Sequence, residues 1–152
     1  MSVAEIYNAI RVNDQLLTSG QPTEDQLRAA SADGFTRVIN LAPFEPARSL
    51  PDEAGLVQSL GMTYTNIPVI WTAPQLSDFE IFEQAMSQQP DTKTLVHCVA
   101  NFRVTAFYSL YAQKHLGWSE AQADAFRARI WQGSHNPIWN EFIASVKSTF
   151  AR

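Results

Sequence analysis

The chain has 152 residues, 45% of them hydrophobic and 17% charged, with 11 Lys and Arg against 15 Asp and Glu for a formal net charge of −4. That length suits one domain with a real core over residues 1–152, and the acidic balance excludes a nucleic-acid binder, which needs a basic stripe for phosphate contacts. The apolar runs are too short to span a bilayer, so no membrane partner is expected, and a single cysteine excludes an internal disulfide.

Met1-Ser2-Val3-Ala4-Glu5 opens without the basic and apolar regions of a secretory leader, which sets a cytoplasmic expectation. Leu16-Leu17-Thr18 reads as a short strand ending at Ser19-Gly20-Gln21-Pro22. Thr23 to Gln26 is a capping box, because Thr accepts from the amide three residues on while Gln reaches back. Its helix runs to about Asp33 and stops at Gly34, placed for a left-handed cap. Phe35 to Leu41, rich in β-branched residues, reads as the second strand. A loop with two prolines follows from Ala42 to Leu50. Pro51 suits a first helical turn. Asp52 and Glu53 suit the positive end of the helix dipole, and that helix closes at Gly61.

Met62 to Ile67 reads as the third strand, halted by Pro68, with a loop from Val69 to Pro74. Leu76, Phe79, Ile81, Phe82 and Met86 mark the apolar side of a helix over roughly Leu76 to Gln88, broken by Pro90-Asp91. Thr94 to His97 is the fourth strand. Phe102 to Leu116 is a helix apolar on most sides, hence internal, ended by Gly117. Ser119 to Gln122 is a second capping box. Asn136-Pro137 is an N-cap with proline at N1, opening a last helix to about Phe150.

The order β-α-β-α-β-α-β-α-α-α implies parallel strands with crossovers. The expected fold is therefore a three-layer α/β domain with a mostly parallel four-stranded sheet flanked by helices. In such sheets ligands bind beyond the carboxyl ends of the strands. Here those ends are Gly20-Gln21-Pro22, Ala42 to Leu50, Val69 to Pro74, and the loop at Cys98.

That loop concentrates the chemistry. His97-Cys98-Val99-Ala100-Asn101-Phe102-Arg103 places a thiol at a strand end and a guanidinium just inside the next helix. An isolated thiol is mostly protonated at neutral pH. Helix-start amides without intrahelical partners and a positive dipole end favour its anion. Residues Val99 to Val104 form a candidate anion nest, and Arg103 can grip two oxygens at once. Asn101 stands at the sharpest turn, being one of the few residues besides Gly that tolerate left-handed φ. His97 reads as a support of the loop. Thr105 either bonds the thiolate or satisfies the helix backbone.

Several residues outside the loop have two readings. Trp71 walls a pocket or plugs the core, while Trp131 and Trp139 pack the late helices. Gln21 serves the turn or orients substrate. His115 compensates a helix dipole, and His135 is a loop residue. The scattered histidines offer no metal-ligand spacing, so neither metal nor cofactor is expected.

These residues resemble the His-Cys-x5-Arg-Ser/Thr signature of the protein tyrosine and dual-specificity phosphatases. The chain is more similar to a bacterial branch of that superfamily, the beta-lactamase-hydrolase-like, dual-specificity-phosphatase-like proteins. The resemblance rests on an ordered set: Ser19-Gly20-Gln21-Pro22, Gly34-Phe35 through Asn40-Leu41, Gly61 through Ile67-Pro68-Val69, Cys98 to Arg103, and Ile130-Trp131 through Trp139. It implies a phosphatase-type fold, Cys98 as nucleophile, Arg103 as phosphate binder, and a phosphorylated small molecule or phosphoprotein as substrate. The departures are four residues rather than five between Cys98 and Arg103, Asn101 in place of the loop glycine, and Val104 where Ser or Thr normally follows. A general-acid Asp is expected after the Ile67-Pro68-Val69 stretch, where this chain has Ile70-Trp71; Asp78 and Glu45 are the candidates left.

Three functions follow. The first is a cofactor-free phosphatase working through a phosphocysteine. The second is a rhodanese-like sulfurtransferase, suggested by the tight loop. The third is a phosphoanion-binding module without turnover.

Overall fold

Five strands form one sheet in the order β1-β2-β5-β3-β4. The computed structural model describes residues 2–88 and 91–150, so the break expected at Pro90 lies outside the described residues. The strands are β1 (Ile10–Asn13), β2 (Leu16–Ser19), β3 (Arg37–Asn40), β4 (Thr63–Asn66) and β5 (Thr94–His97). The helices are α1 (Glu24–Ala32), α2 (Glu53–Ser59), α3 (Leu76–Ser87), α4 (Phe102–His115), α5 (Glu120–Trp131) and α6 (Pro137–Lys147).

The three-layer α/β architecture matches the expectation, with one strand more than foreseen. β1 pairs antiparallel with β2, Ile10 opposite Thr18, while all other pairings are parallel. Ile10 is buried and Val12 half-buried, whereas Arg11 and Asn13 are exposed. That alternation fits an edge strand with one covered face. The side chain of Asn13 accepts from the amide of Gln15 at 2.8 Å and turns the chain into β2.

Alternation across β3 and β5 divides the core. Val38 and Leu95 face one side, with Leu27, Ala30 and Phe35 from α1 and its exit and Val57 from α2. Ile39 and Val96 face the other, with Phe79 and Phe82 of α3, Phe107 of α4, and Trp139 and Phe142 of α6. α4 buries nine of its residues, as its all-round apolar sequence requires.

Several local expectations change. Leu76 and Ile81, counted on the apolar side of α3, are 43% and 51% exposed, and Phe79 and Phe82 do the burying. Pro51 precedes α2 rather than entering it, because Asp52 caps the helix through the Gly55 amide. α6 ends at Lys147 rather than Phe150. Both capping boxes are complete, at Thr23/Gln26 and Ser119/Gln122. Gly34, Gly61 and Gly117 take positive φ at their helix exits.

The parallel register aligns Ser19, His97, Asn40 and Asn66 in one row at the carboxyl ends. Leu16, Thr94, Arg37 and Thr63 form the row at the opposite ends. Among the described residues no helix is long and apolar enough to cross a membrane, and no group of three or more His, Cys, Asp or Glu could hold a metal.

Candidate active site

β5 ends at His97, and the chain turns through Cys98–Asn101 into α4. Asn101 is the N-cap, with φ 70° and ψ 6°, the left-handed geometry anticipated there. Its side chain holds that turn by donating to the Asn8 carbonyl (2.9 Å) and to Thr18 Oγ1 (3.2 Å). From the other side Asn8 Nδ2 donates to the Ala100 carbonyl at 3.0 Å. Gly20 permits a close approach, since a Cβ there would lie 2.6 Å from the Val99 carbonyl oxygen. The Gln21 amide donates to that same oxygen at 2.9 Å.

A cavity of about 320 Å³ opens over this loop. Cys98, Val99, Ala100, Phe102 and Arg103 line it from the loop and the start of α4. Trp71 from the β4–α3 loop and Glu45 and Arg48 from the β3–α2 loop line the rest. Cys98 is fully buried from bulk solvent, yet it is one of the residues that line the cavity. The Thr105 amide bonds Asn101 O, leaving Phe102, Arg103 and Val104 at a helix start without intrahelical acceptors for their amides.

Arg103 is only 7% exposed. Its Nε is buried and makes no hydrogen bond among the described residues, while its guanidinium lies over the Trp71 ring at 5.4 Å. Such packing orients the cation without consuming its donors. Trp71 is held in turn: it stacks on Trp131 at 5.8 Å, and its carbonyl accepts from Trp139 Nε1 at 2.8 Å. Phe102 closes the box at 4.8 Å from Trp131. The two readings of Trp71 are therefore both realised, since it packs against the core and also lines the cavity.

Behind the loop lies a polar cluster. His97 Nε2 is 2.6 Å from Glu53 Oε2, and its Nδ1 is 3.1 Å from the Cys98 carbonyl oxygen. Gln21 Nε2 donates to Glu53 Oε1 at 2.7 Å. Tyr64, which accepts from Asn40 Nδ2 at 3.1 Å, bonds the same carboxylate. Burial pushes the Glu53 carboxyl up, but hydrogen bonds from His97, Gln21 and Tyr64 and the charge of His97 outweigh it and hold it below its ordinary value. Tyr64 is pushed up to about 12 by burial and by the neighbouring Glu53 charge. Glu53 thus does what was expected, standing as the acid in the first turn of α2, and is in addition a buried partner of the histidine before the cysteine.

Other candidates separate cleanly. Thr105 Oγ1 donates to the Asn101 and Phe102 carbonyls at 2.8 and 3.1 Å, the backbone alternative rather than the thiolate one. Asp78 accepts from the Gln75 amide at 3.0 Å, capping α3, and does not line the cavity. Glu45 does line it, fixed on a turn where Ser49 Oγ accepts from its amide at 2.8 Å and Arg48 Nε stands 3.7 Å from its carboxylate. His115, expected to serve a helix dipole, meets Glu83 at 2.6 Å beside Lys114. His135 stays in its loop, bonded to Asn140.

A parallel-sheet α/β fold with a cysteine at the end of its central strand and an arginine in the first turn of the next helix is the tyrosine-phosphatase-like fold. No family model matches the chain. A solved structure, a putative phosphatase (DUF442) from Shewanella putrefaciens CN-32, is 35% identical with a TM-score of 0.87, and the match covers 97% of this chain and 96% of that one. The chain belongs to this DUF442 family. A beta-lactamase hydrolase-like protein of Xylella fastidiosa (strain Temecula1) is 31% identical over 104 residues, covering 66% of this chain. This chain spans about a quarter of that curated relative, 24% of its length. Tk-PTP, in its active form, shares the fold with a TM-score of 0.74 at 19% identity, covering 93% of this chain and 97% of that one.

Proposed function

We propose that the chain is a cysteine-dependent phosphatase that hydrolyses a phosphate monoester through a phosphocysteine. The observation that carries this reading is the pair lining the cavity: a thiol, and a buried guanidinium whose Nε is left without a partner among the described residues. A phosphoryl group would sit between them, its oxygens bonded by Arg103 and by the amides that begin α4. The Cys98 thiolate attacks phosphorus as the P–O bond to the leaving group breaks. Glu45, the carboxylate among the cavity-lining residues, donates the proton that turns the leaving oxygen into an alcohol or phenol. Water then attacks the phosphocysteine, passing a proton to Glu45 and releasing phosphate and thiolate. The substrate is a phosphorylated small molecule or a phosphoprotein side chain, and the aromatic wall of Trp71 and Phe102 favours an aryl leaving group.

The four-residue Cys98–Arg103 spacing favours a second reading, sulfur transfer. There the thiolate takes the outer sulfur of thiosulfate, releasing sulfite, and the resulting persulfide passes that sulfur to a nucleophile such as cyanide. The third reading, anion binding without turnover, stands if neither reaction runs.

One experiment separates the three. Purified protein is assayed with p-nitrophenyl phosphate and, separately, with thiosulfate and cyanide, each alongside Cys98→Ser. Phosphate release that vanishes in Cys98→Ser is the expected result. Thiocyanate formation without phosphate release installs the sulfurtransferase, and phosphate binding without either product installs the binding module.

A further inference from the structure

The cluster behind the loop has no part in the reaction as written, yet its buried polar groups are bonded to one another and to the loop. Glu53 and His97 are both buried, 44 residues apart in sequence and 2.6 Å apart in space. Burying such a pair is expensive unless every lone pair and proton is used. Here both carboxylate oxygens are taken, Oε2 by His97 and Oε1 by Gln21. Both imidazole nitrogens also face acceptors, since a carboxylate stands on one side and a carbonyl oxygen on the other. A carbonyl cannot donate, so a hydrogen bond to it puts a proton on Nδ1, and a Glu53 carboxyl held below its ordinary value leaves the proton between Nε2 and Oε2 on the ring.

We propose that Glu53 is a positioning residue of the active site: it keeps His97 doubly protonated, so that the ring clamps the Cys98 carbonyl and sets a cation against the backbone that carries the thiol. The inference rests on Cys98 being the reacting thiol, whichever group it transfers. The neighbours of Glu53 define what else acts there. Gln21 follows β2, Asn40 ends β3, Tyr64 comes from β4 and His97 from β5. Of these, Tyr64 and His97 are titratable. On the cavity side the charged groups are Arg103 from α4 and Glu45 and Arg48 from the β3–α2 loop. The cluster thus joins residues of β3, β4 and β5, and Gln21 just beyond the end of β2, to the Cys98 carbonyl. Gln21 serves it twice, holding the Val99 carbonyl through its amide and Glu53 through its side chain.

Cys98 is the sole cysteine, so thiol alkylation reads this site alone and needs no turnover. Alkylation by iodoacetamide is followed by intact mass from pH 5 to 10, and its midpoint in Glu53→Gln is expected about one unit above that of the parent, which slows alkylation about tenfold at any pH below both midpoints. The Glu53→Gln profile should move to higher pH, and Glu53→Asp should recover part of the shift. A folded Glu53→Gln with the parental profile overturns the proposal. The unsubstituted protein supplies a check independent of whether that variant folds: nitrogen-15 NMR of His97 at neutral pH should show both ring nitrogens protonated, and a neutral tautomer overturns the proposal as well. Neither readout depends on phosphate chemistry. A protein that passes both and releases no phosphate sinks the phosphatase reading while leaving the role of Glu53 intact.

Discussion

Arg37 and Arg103 are equally buried, each 7% exposed, and they stand at opposite ends of the sheet. Arg37, in the row at the amino ends, is bonded to the fold through its Nε and one terminal nitrogen. Its Nε donates to Thr94 Oγ1 at 3.1 Å, and one terminal nitrogen donates to the Ala85 and Gln88 carbonyls at 2.6 and 2.9 Å. It closes the carbonyl end of α3, where a cation is welcome. Arg103, beyond the carboxyl ends, rests on an indole and keeps its Nε free of any partner among the described residues. One end of the sheet uses its buried cation to complete the fold. The other holds its cation ready for something the fold does not provide, and that asymmetry marks where an anion belongs.

The sharpest way to break this comparison is to replace each guanidinium by methionine, which keeps much of the stem and removes the charge. Arg103→Met is expected to lower phosphate release from p-nitrophenyl phosphate by about 10²–10³-fold or more, the range for losing a preorganised electrostatic donor. Its urea midpoint should stay at or above that of the parent, because a buried unpaired charge is exchanged for an apolar group. An equal fall in stability would show that Arg103 is structural too.

Arg37→Met should do the reverse. Leaving the Ala85 and Gln88 carbonyls and Thr94 short of a donor costs about 1–3 kcal/mol, read as a lowered urea midpoint, with turnover per folded molecule unchanged.

The smallest effect concerns acid. The Glu53 carboxyl is held below its ordinary value by His97, Gln21 and Tyr64 against the opposing pull of burial. Its ionised form therefore stabilises the fold above about pH 4.3, the unfolded-chain value, and that contribution is lost as pH falls through the lower folded value. Urea midpoints for the parent and Glu53→Gln should differ at pH 7 and draw together as the pH is taken down through the carboxylate range. A gap that widens in acid reverses the sign and removes the buried ion pair from the account.

Local chemistry made much of this fold readable in advance. Thr23 with Gln26 and Ser119 with Gln122 are reciprocal pairs three residues apart, and Asn101 is one of the few side chains suited to a left-handed turn; in each case cause and consequence lie within a few residues. The alternation of strands and helices then put the Cys98 loop on the ligand-binding edge. β1 escaped because four residues with Arg11 and Asn13 at alternate positions make little hydrophobic signal, although Asn13-Asp14 before Leu16-Leu17 is a turn between two short strands. Glu53 escaped for a different reason. Its meaning depends on His97, and only the adjacency of β3 and β5 in the sheet brings the two together. A carboxylate opening the helix after one strand and a histidine ending its sheet neighbour would have been the signal. Trp71 defied an either-or reading because one large indole can pack on the core and still line a cavity, and here it does both.

The reactive loop also leans on the start of the chain. The Gly20 amide bonds the Tyr7 carbonyl, anchoring the segment that carries Asn8. Asn8 bonds Ala100 and Asn101 bonds Asn8, contacts that span 92 and 93 residues of sequence. A peptide cut out around Cys98 would hold the thiol and the guanidinium without the lashings that give them their shape. Reactivity at that sulfur should therefore emerge late in refolding, with the joining of the two halves of the molecule, which makes a thiol-directed reagent a reporter of completed assembly as much as of chemistry.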